Sequence, residues 1–159
     1  MNKLKVLIID DEPNIVKSCT RLLRNAGYEV LGTTDVHDAL KIIASQEIAV
    51  VISDQRMPEM TGAKLLSIIK ELSPETTRLV LTGYADINAA ISSINDGHVY
   101  QYLTKPWDEE AILVAVNEAA ELHQKYLKSA NFNRSTRQKI LSLEMINAEL
   151  RAQLQEQSK

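Results

Sequence analysis

Five polar residues sit just after apolar runs and carry the groups that phosphoryl chemistry needs: Asp10, Asp11, Asp54, Thr82 and Lys105. Brought to one place, three carboxylates repel one another, and a cation is the natural remedy. Oxygen donors with open positions for water and a phosphoryl group suit Mg2+ better than zinc or an all-protein calcium cage. The backbone carbonyl of Arg56 could complete such a set. Asp54 can attack phosphorus as a nucleophile, while the metal and the Lys105 ammonium offset charge on the transferring group. Thr82 supplies a hydroxyl donor for the product. Taken singly, each residue has a plainer reading: Asp10 or Asp11 capping a helix from Pro13, Lys105 as a solvated lysine, Thr82 as a strand-end threonine. Their joint order is what favours a site.

The elements that must position these residues alternate. Strand-like runs cover Lys5 to Ile9, Tyr28 to Gly32, Ala49 to Ser53, Arg78 to Leu81 and Tyr100 to Leu103. Continuously apolar runs such as Val6-Leu7-Ile8-Ile9 suit strands buried on both faces of a parallel sheet. Helical patterns lie between them. Pro13 to Ala26 stops at Gly27, Asp35 caps a second helix, and a third spans Thr61 to Leu72. A fourth runs from Ala85 to Asn95, and Asp108 caps a fifth with Ile112, Val116 and Ala119 facing inward. Strand then helix, repeated, predicts right-handed crossovers onto one parallel sheet, an α/β fold with helices on both faces. Functional residues then gather beyond the carboxyl ends of the strands, where all five polar residues fall.

The motifs Ile8-Ile9-Asp10-Asp11-Glu12-Pro13, Asp54-Gln55-Arg56-Met57-Pro58, Leu81-Thr82-Gly83 and Tyr102-Leu103-Thr104-Lys105-Pro106 resemble, in order and spacing, those of response-regulator receivers. The resemblance implies a five-stranded doubly wound, flavodoxin-like sheet of order 2-1-3-4-5. It also implies phosphorylation of Asp54 by a histidine kinase or phosphotransfer protein, and Mg2+ held by Asp11, Asp54 and the Arg56 carbonyl, with Asp10 in the metal's water shell. Thr82 then moves toward the phosphoryl group and Tyr102 turns inward behind it, reshaping the face made by the fourth helix, fifth strand and fifth helix. Arg56 and Tyr84, each two residues past a pocket residue, are expected at the pocket mouth. The function implied is a phosphorylation-dependent switch of a phosphorelay rather than an enzyme.

With 159 residues and a formal net charge of −3, the chain suits one domain plus an appendage and no generally basic nucleic-acid surface. The domain is expected over residues 1–123 and a helical segment over 124–159. Cys19 is the only cysteine, so no internal disulfide forms. No stretch approaches the length of a membrane span and no secretory signal opens the chain, giving a cytoplasmic expectation. His37, His98 and His123 share no metal-ligand spacing and read as surface or partner-contact residues. Trp107 reads as a packing residue.

Neither glycine nor proline follows Trp107, so the fifth helix can continue to the end. There Ile140, Leu143, Asn147, Leu150 and Leu154 step by threes and fours, which suits a parallel homodimeric coiled coil with Asn147 fixing register. Three rival functions remain: a Mg2+-dependent phosphohydrolase with an aspartyl nucleophile, an inert dimerisation module, and the regulatory part of a larger protein with a cyclic-di-GMP or AAA-type output. Phosphohydrolases of that kind carry their nucleophile in an Asp-x-Asp pattern after the first strand, whereas here Asp10 and Asp11 are adjacent and the nucleophile follows the third.

Overall fold

The computed structural model describes residues 3–83, 86–96 and 98–157, with the side chains of 132–136 outside that description. Its elements are β1 (Lys5–Ile9), α1 (Pro13–Asn25), β2 (Glu29–Thr33), α2 (Val36–Ser45), β3 (Val50–Asp54), α3 (Gly62–Leu72), β4 (Thr77–Thr82), α4 (Ile87–Asn95), β5 (Gln101–Thr104) and α5 (Glu109–Gln157). All strand pairs are parallel, in the order β2-β1-β3-β4-β5. This is the five-stranded doubly wound sheet that the alternation and the resemblance imply.

Side-chain alternation divides the core between two layers. Val6 and Ile8 of β1, Val50 and Ile52 of β3, and Leu79 and Leu81 of β4 pack with Cys19 and Leu23 of α1 and Ile112 and Val116 of α5. Leu7, Ile9, Val51 and Val80 face the other way, against Val36, Ala39, Leu65, Ile69 and Ala90 of α2, α3 and α4. Strands lined by apolar residues on both sides explain the uninterrupted runs in the sequence.

Several strands begin and end one residue later than the apolar runs suggest, and at β2 the reason is visible. Gly27 takes φ +100, the Tyr28 N–H donates to the Leu23 carbonyl and the Gly27 N–H to Arg24. That Schellman closure of α1 commits Tyr28 to the helix end, so the ladder starts at Glu29. Asp35 caps α2 by accepting from the His37 N–H at 2.7 Å, and Thr61 caps α3 by accepting from Lys64 at 3.2 Å. Ala85, expected to begin the fourth helix, lies outside the described residues.

His123 departs from the surface role expected of it. It is 1% exposed, with Nδ1 2.6 Å from the Glu75 carbonyl oxygen. The reason is periodicity: His123 lies four residues past Ala119 on the inward stripe of α5, and a backbone oxygen satisfies the ring there.

Two compact units emerge, Met1–Gln124 and Lys125–Lys159. In the first, α5 buries Ile112, Ala115, Val116, Ala119 and Ala120; in the second, Ile140, Leu143, Leu150 and Leu154 are exposed. Among the described residues no helix is long and apolar enough to cross a membrane.

Candidate functional site

Asp54 is the last residue of β3, its backbone in register with Leu81 of β4. The site is assembled around it by the parallel register of the central strands. The Lys105 N–H donates to the Thr82 carbonyl at 2.9 Å, which carries the β4–β5 ladder one step beyond β5 and sets Lys105 beside the end of β4. From there its ammonium donates to Asp10 Oδ2 at 2.9 Å and lies 3.2 Å from Asp54 Oδ1. Asp10, 1% exposed, also accepts the Glu12 N–H on Oδ1 at 2.9 Å, so both of its oxygens are satisfied. Asp10 thus closes a turn onto Glu12, the N-cap position of α1, which has no side-chain capping bond; the reading of Asp10 as the cap of that helix does not hold.

The electrostatics are unbalanced toward negative charge. Burial pushes the Asp54 carboxyl up to about 6, the neighbouring Asp10 charge adds to the rise, and the Lys105 ammonium offsets only part of it. Asp10 is likewise raised, chiefly by burial, against the lowering effects of the Glu12 N–H and Lys105. Burial disfavours the charge on Lys105, yet its hydrogen bond to Asp10 and the charges of Asp10 and Asp54 outweigh that, and it too is raised. One ammonium serves more than one buried carboxylate.

Carboxylate oxygens of Asp10, Asp11 and Glu12 lie within 4.8 Å of one another, and Asp11 meets Asp54 closely enough to raise its pKa. An octahedral Mg2+ with ligands at about 2.1 Å spans about 4.2 Å between opposite oxygens. An all-oxygen donor group of nearly that spread, beside carboxylates short of positive charge, fits a hard divalent cation with waters completing its shell. Among the described residues, no zinc-type nitrogen or sulfur donor enters this cluster. Asp11 and Arg56 share a cleft of about 420 Å³ with Met57, Pro58 and Asp86, which brings the Arg56 segment to the acidic group.

Thr82 and Tyr102 fall on the other sheet face. Val80 and Thr82 share a side by alternation, Val80 is paired with Tyr102, and both Val80 and Tyr102 pack in the layer of α2, α3 and α4. Thr82 is 0% exposed and its hydroxyl donates to the Gly83 carbonyl at 3.2 Å. Tyr102 is half-buried. The Arg56 side chain is largely exposed and ion-paired with Asp86, its Nε 2.8 Å from Oδ2. Tyr84, expected with Arg56 at the pocket mouth, lies outside the described residues.

Sequence reasoning passed over three supporting residues. Gln55 is buried; its backbone carbonyl accepts the Gly62 N–H at 2.9 Å and its side-chain oxygen accepts the Ala63 N–H at 3.0 Å. It therefore ties the segment after Asp54 to the start of α3. Gly62 allows that approach, since a Cβ there would stand 2.2 Å from the Asp54 carbonyl oxygen. Asp86 pairs with Arg56. A glycine directly after the capping Thr61 was a legible signal for the close approach; the partners of Gln55 and Asp86 were not.

Comparison with known proteins identifies the family and the fold. The family model described as response regulator receiver domain matches residues 6–117. The hydrogenase transcriptional regulatory protein HoxA of Bradyrhizobium diazoefficiens is 33% identical over 75% of this chain and 24% of its own length. The DNA-binding transcriptional regulator NtrC of Proteus hauseri is 33% identical over 82% of this chain and 27% of its own. The chain thus spans about a quarter of the length of these relatives. A signal receiver domain of an HD domain-containing protein from Pseudomonas fluorescens superposes with a TM-score of 0.75 at 34% identity, covering 80% of this chain and 94% of that one. With the family model matched over residues 6–117 and the fold superposing on a receiver domain, the chain belongs to the response regulator receiver domain family.

Proposed function

We propose that residues 1–123 act as a phosphorylation-dependent switch of a two-component phosphorelay, with Asp54 as the phosphoacceptor. The observation that carries this reading is the Lys105 ammonium held between Asp10 and Asp54 at 2.9 and 3.2 Å. An Asp54 carboxylate oxygen attacks the phosphorus of a phosphohistidine on a kinase or phosphotransfer protein, the P–N bond breaks, and the imidazole leaves with the electron pair. Asp54 becomes an acyl phosphate. Lys105 is already placed to balance the negative charge this adds. Mg2+, held by Asp11, Asp54 and the Arg56 carbonyl with Asp10 behind, would supply further neutralisation of phosphoryl oxygens. The Thr82 hydroxyl then exchanges the Gly83 carbonyl for a phosphoryl oxygen. That movement opens room on the face where Tyr102 packs, which links the pocket to the surface of α4, β5 and α5.

Residues 124–159 act in this proposal as a helical signalling segment that pairs with a second copy through Ile140, Leu143, Asn147, Leu150 and Leu154. The chain works in the cytoplasm, without direct nucleic-acid contact and without turnover of its own beyond its phosphorylation and dephosphorylation. The matched relatives are named as transcriptional regulators, so the larger assembly proposed is a regulator whose output lies in the part the match does not span.

Incubation with Mg2+ and acetyl phosphate tests the reading. A stoichiometric, acid-resistant and alkali-labile adduct mapping to Asp54, absent from Asp54→Asn, is the expected result. Multiple turnovers on small phosphoesters would favour a phosphohydrolase, and no adduct at all would favour an inert module.

A further inference from the structure

The start of α4 differs from the starts of α2 and α3. Asp35 and Thr61 each accept a hydrogen bond from their own helix. Asp86 occupies the same N-cap position before Ile87 and makes no such bond, although aspartate is among the best capping residues. Its carboxylate is instead ion-paired with Arg56, Oδ2 lying 2.8 Å from Nε, with the Asp86 side chain 21% exposed and that of Arg56 74% exposed. The pair spans the β3–α3 and β4–α4 segments on the wall of the cleft that also holds Asp11. One carboxylate thus has two competing uses, a cap for α4 or a hold on the guanidinium at the pocket mouth.

We propose that Asp86 is a positioning residue that alternates between these partners. It rests on the reading of Asp54 as phosphoacceptor. While Asp54 is unmodified, Asp86 keeps the Arg56 guanidinium at the rim, away from the carboxylates whose cation it would otherwise replace. An acyl phosphate on Asp54 adds phosphoryl oxygens that match the planar fork of arginine better than the single carboxylate of Asp86 does. Arg56 turns inward, covers the phosphorus against water, and releases Asp86. The freed carboxylate then accepts from the Asn88 or Ala89 N–H and tightens the first turn of α4. Phosphorylation is thereby reported to α4 by a route separate from Thr82 and Tyr102.

Asp86→Asn keeps a capping side chain and removes the charge that restrains Arg56. Exposed ion pairs of this kind are worth about a two- to fivefold change in an equilibrium, so the phosphorylated lifetime should lengthen by about that factor. In an Arg56→Ala background the same substitution should change nothing. Amide exchange at Asn88 and Ala89 should slow on phosphorylation in the wild type and remain unchanged in Asp86→Ala. A lifetime unaffected by Asp86→Asn, or equally affected with and without Arg56, overturns the proposal. The pair itself is read without phosphorylation: the Arg56 Nε–H resonance of the unmodified protein should exchange more slowly in the wild type than in Asp86→Asn. Equal exchange refutes the resting pair whatever happens at Asp54. Failure of Asp54 to take a phosphoryl group, with the resonance difference intact, refutes both the acceptor role and the exchange of partners while leaving the resting contact standing.

Discussion

Replacing the proposed acceptor should stabilise the metal-free protein, and the size of the effect follows from the pocket. The Asp54 carboxyl is pushed from an ordinary 3.8 up to about 6, first by burial and then by Asp10, despite Lys105. The folded state therefore holds a proton that the unfolded chain has already released between these two values. Stability contributed by that proton is present below pH 4 and is lost as pH rises through 6. Converted at about 1.4 kcal/mol per pH unit, the ionised side chain costs the fold about 3 kcal/mol at pH 7. Asp54→Asn removes the charge at nearly constant volume, though its amide N–H2 faces Lys105 less well, so about 1–3 kcal/mol of stabilisation is expected. Urea unfolding in EDTA, followed by Trp107 fluorescence, should show the variant and wild type converging near pH 4 and separating toward pH 7. Saturating Mg2+ should narrow the gap from the wild-type side, since a ligand of the folded state at ten times its Kd adds about 1.4 kcal/mol. A variant less stable than the wild type at pH 7 in EDTA, or a difference that does not change with pH, would refute this account of the pocket.

Gly62→Ala should cost about 1–3 kcal/mol, or more, because the new methyl meets backbone of Asp54 and Gln55 that cannot rotate away; an unchanged urea midpoint would contradict the close approach. Asp11→Ala should leave the midpoint nearly unchanged, as the residue is exposed, while abolishing Mg2+-dependent labelling by acetyl phosphate; undiminished Mg2+ affinity by titration would remove Asp11 from the metal set. Asn147→Leu should tighten self-association in sedimentation experiments by filling an a position with an apolar residue. A wild-type chain that stays monomeric well above micromolar concentrations, phosphorylated or not, would rule out the paired tail.

Much of this molecule could be read from residue order alone. Runs such as Val6-Leu7-Ile8-Ile9 and Val50-Val51-Ile52-Ser53 mark strands covered on both faces, and the intervening helical periods force crossovers. Once the sheet is parallel, every strand ends at the same edge, so Asp10, Asp11, Asp54, Thr82 and Lys105 had to lie near one another. Gly27 and Pro13 marked the ends of α1 by backbone constraints that are purely local.

What the sequence left open are the contacts between segments that only the sheet brings together. Lys105 meets Asp10 across 95 positions because β1 lies inside the sheet, next to β3 rather than at an edge, and strand order is a property of the packed whole. The uncompensated negative charge of the pocket, and with it the rise at Asp54, depends on which carboxylates are buried, a fact no spacing encodes. Gln55 could have been a solvated residue after the strand until α3 supplied the N–H groups that it binds. His123 looked like a surface histidine until the Glu75 carbonyl gave its ring a partner in the interior. Asp86 carried no role in the sequence until the fold set Arg56 beside it. Periodicity fixes which face of an element turns inward, but the partner waiting there is chosen by the register and order of distant strands.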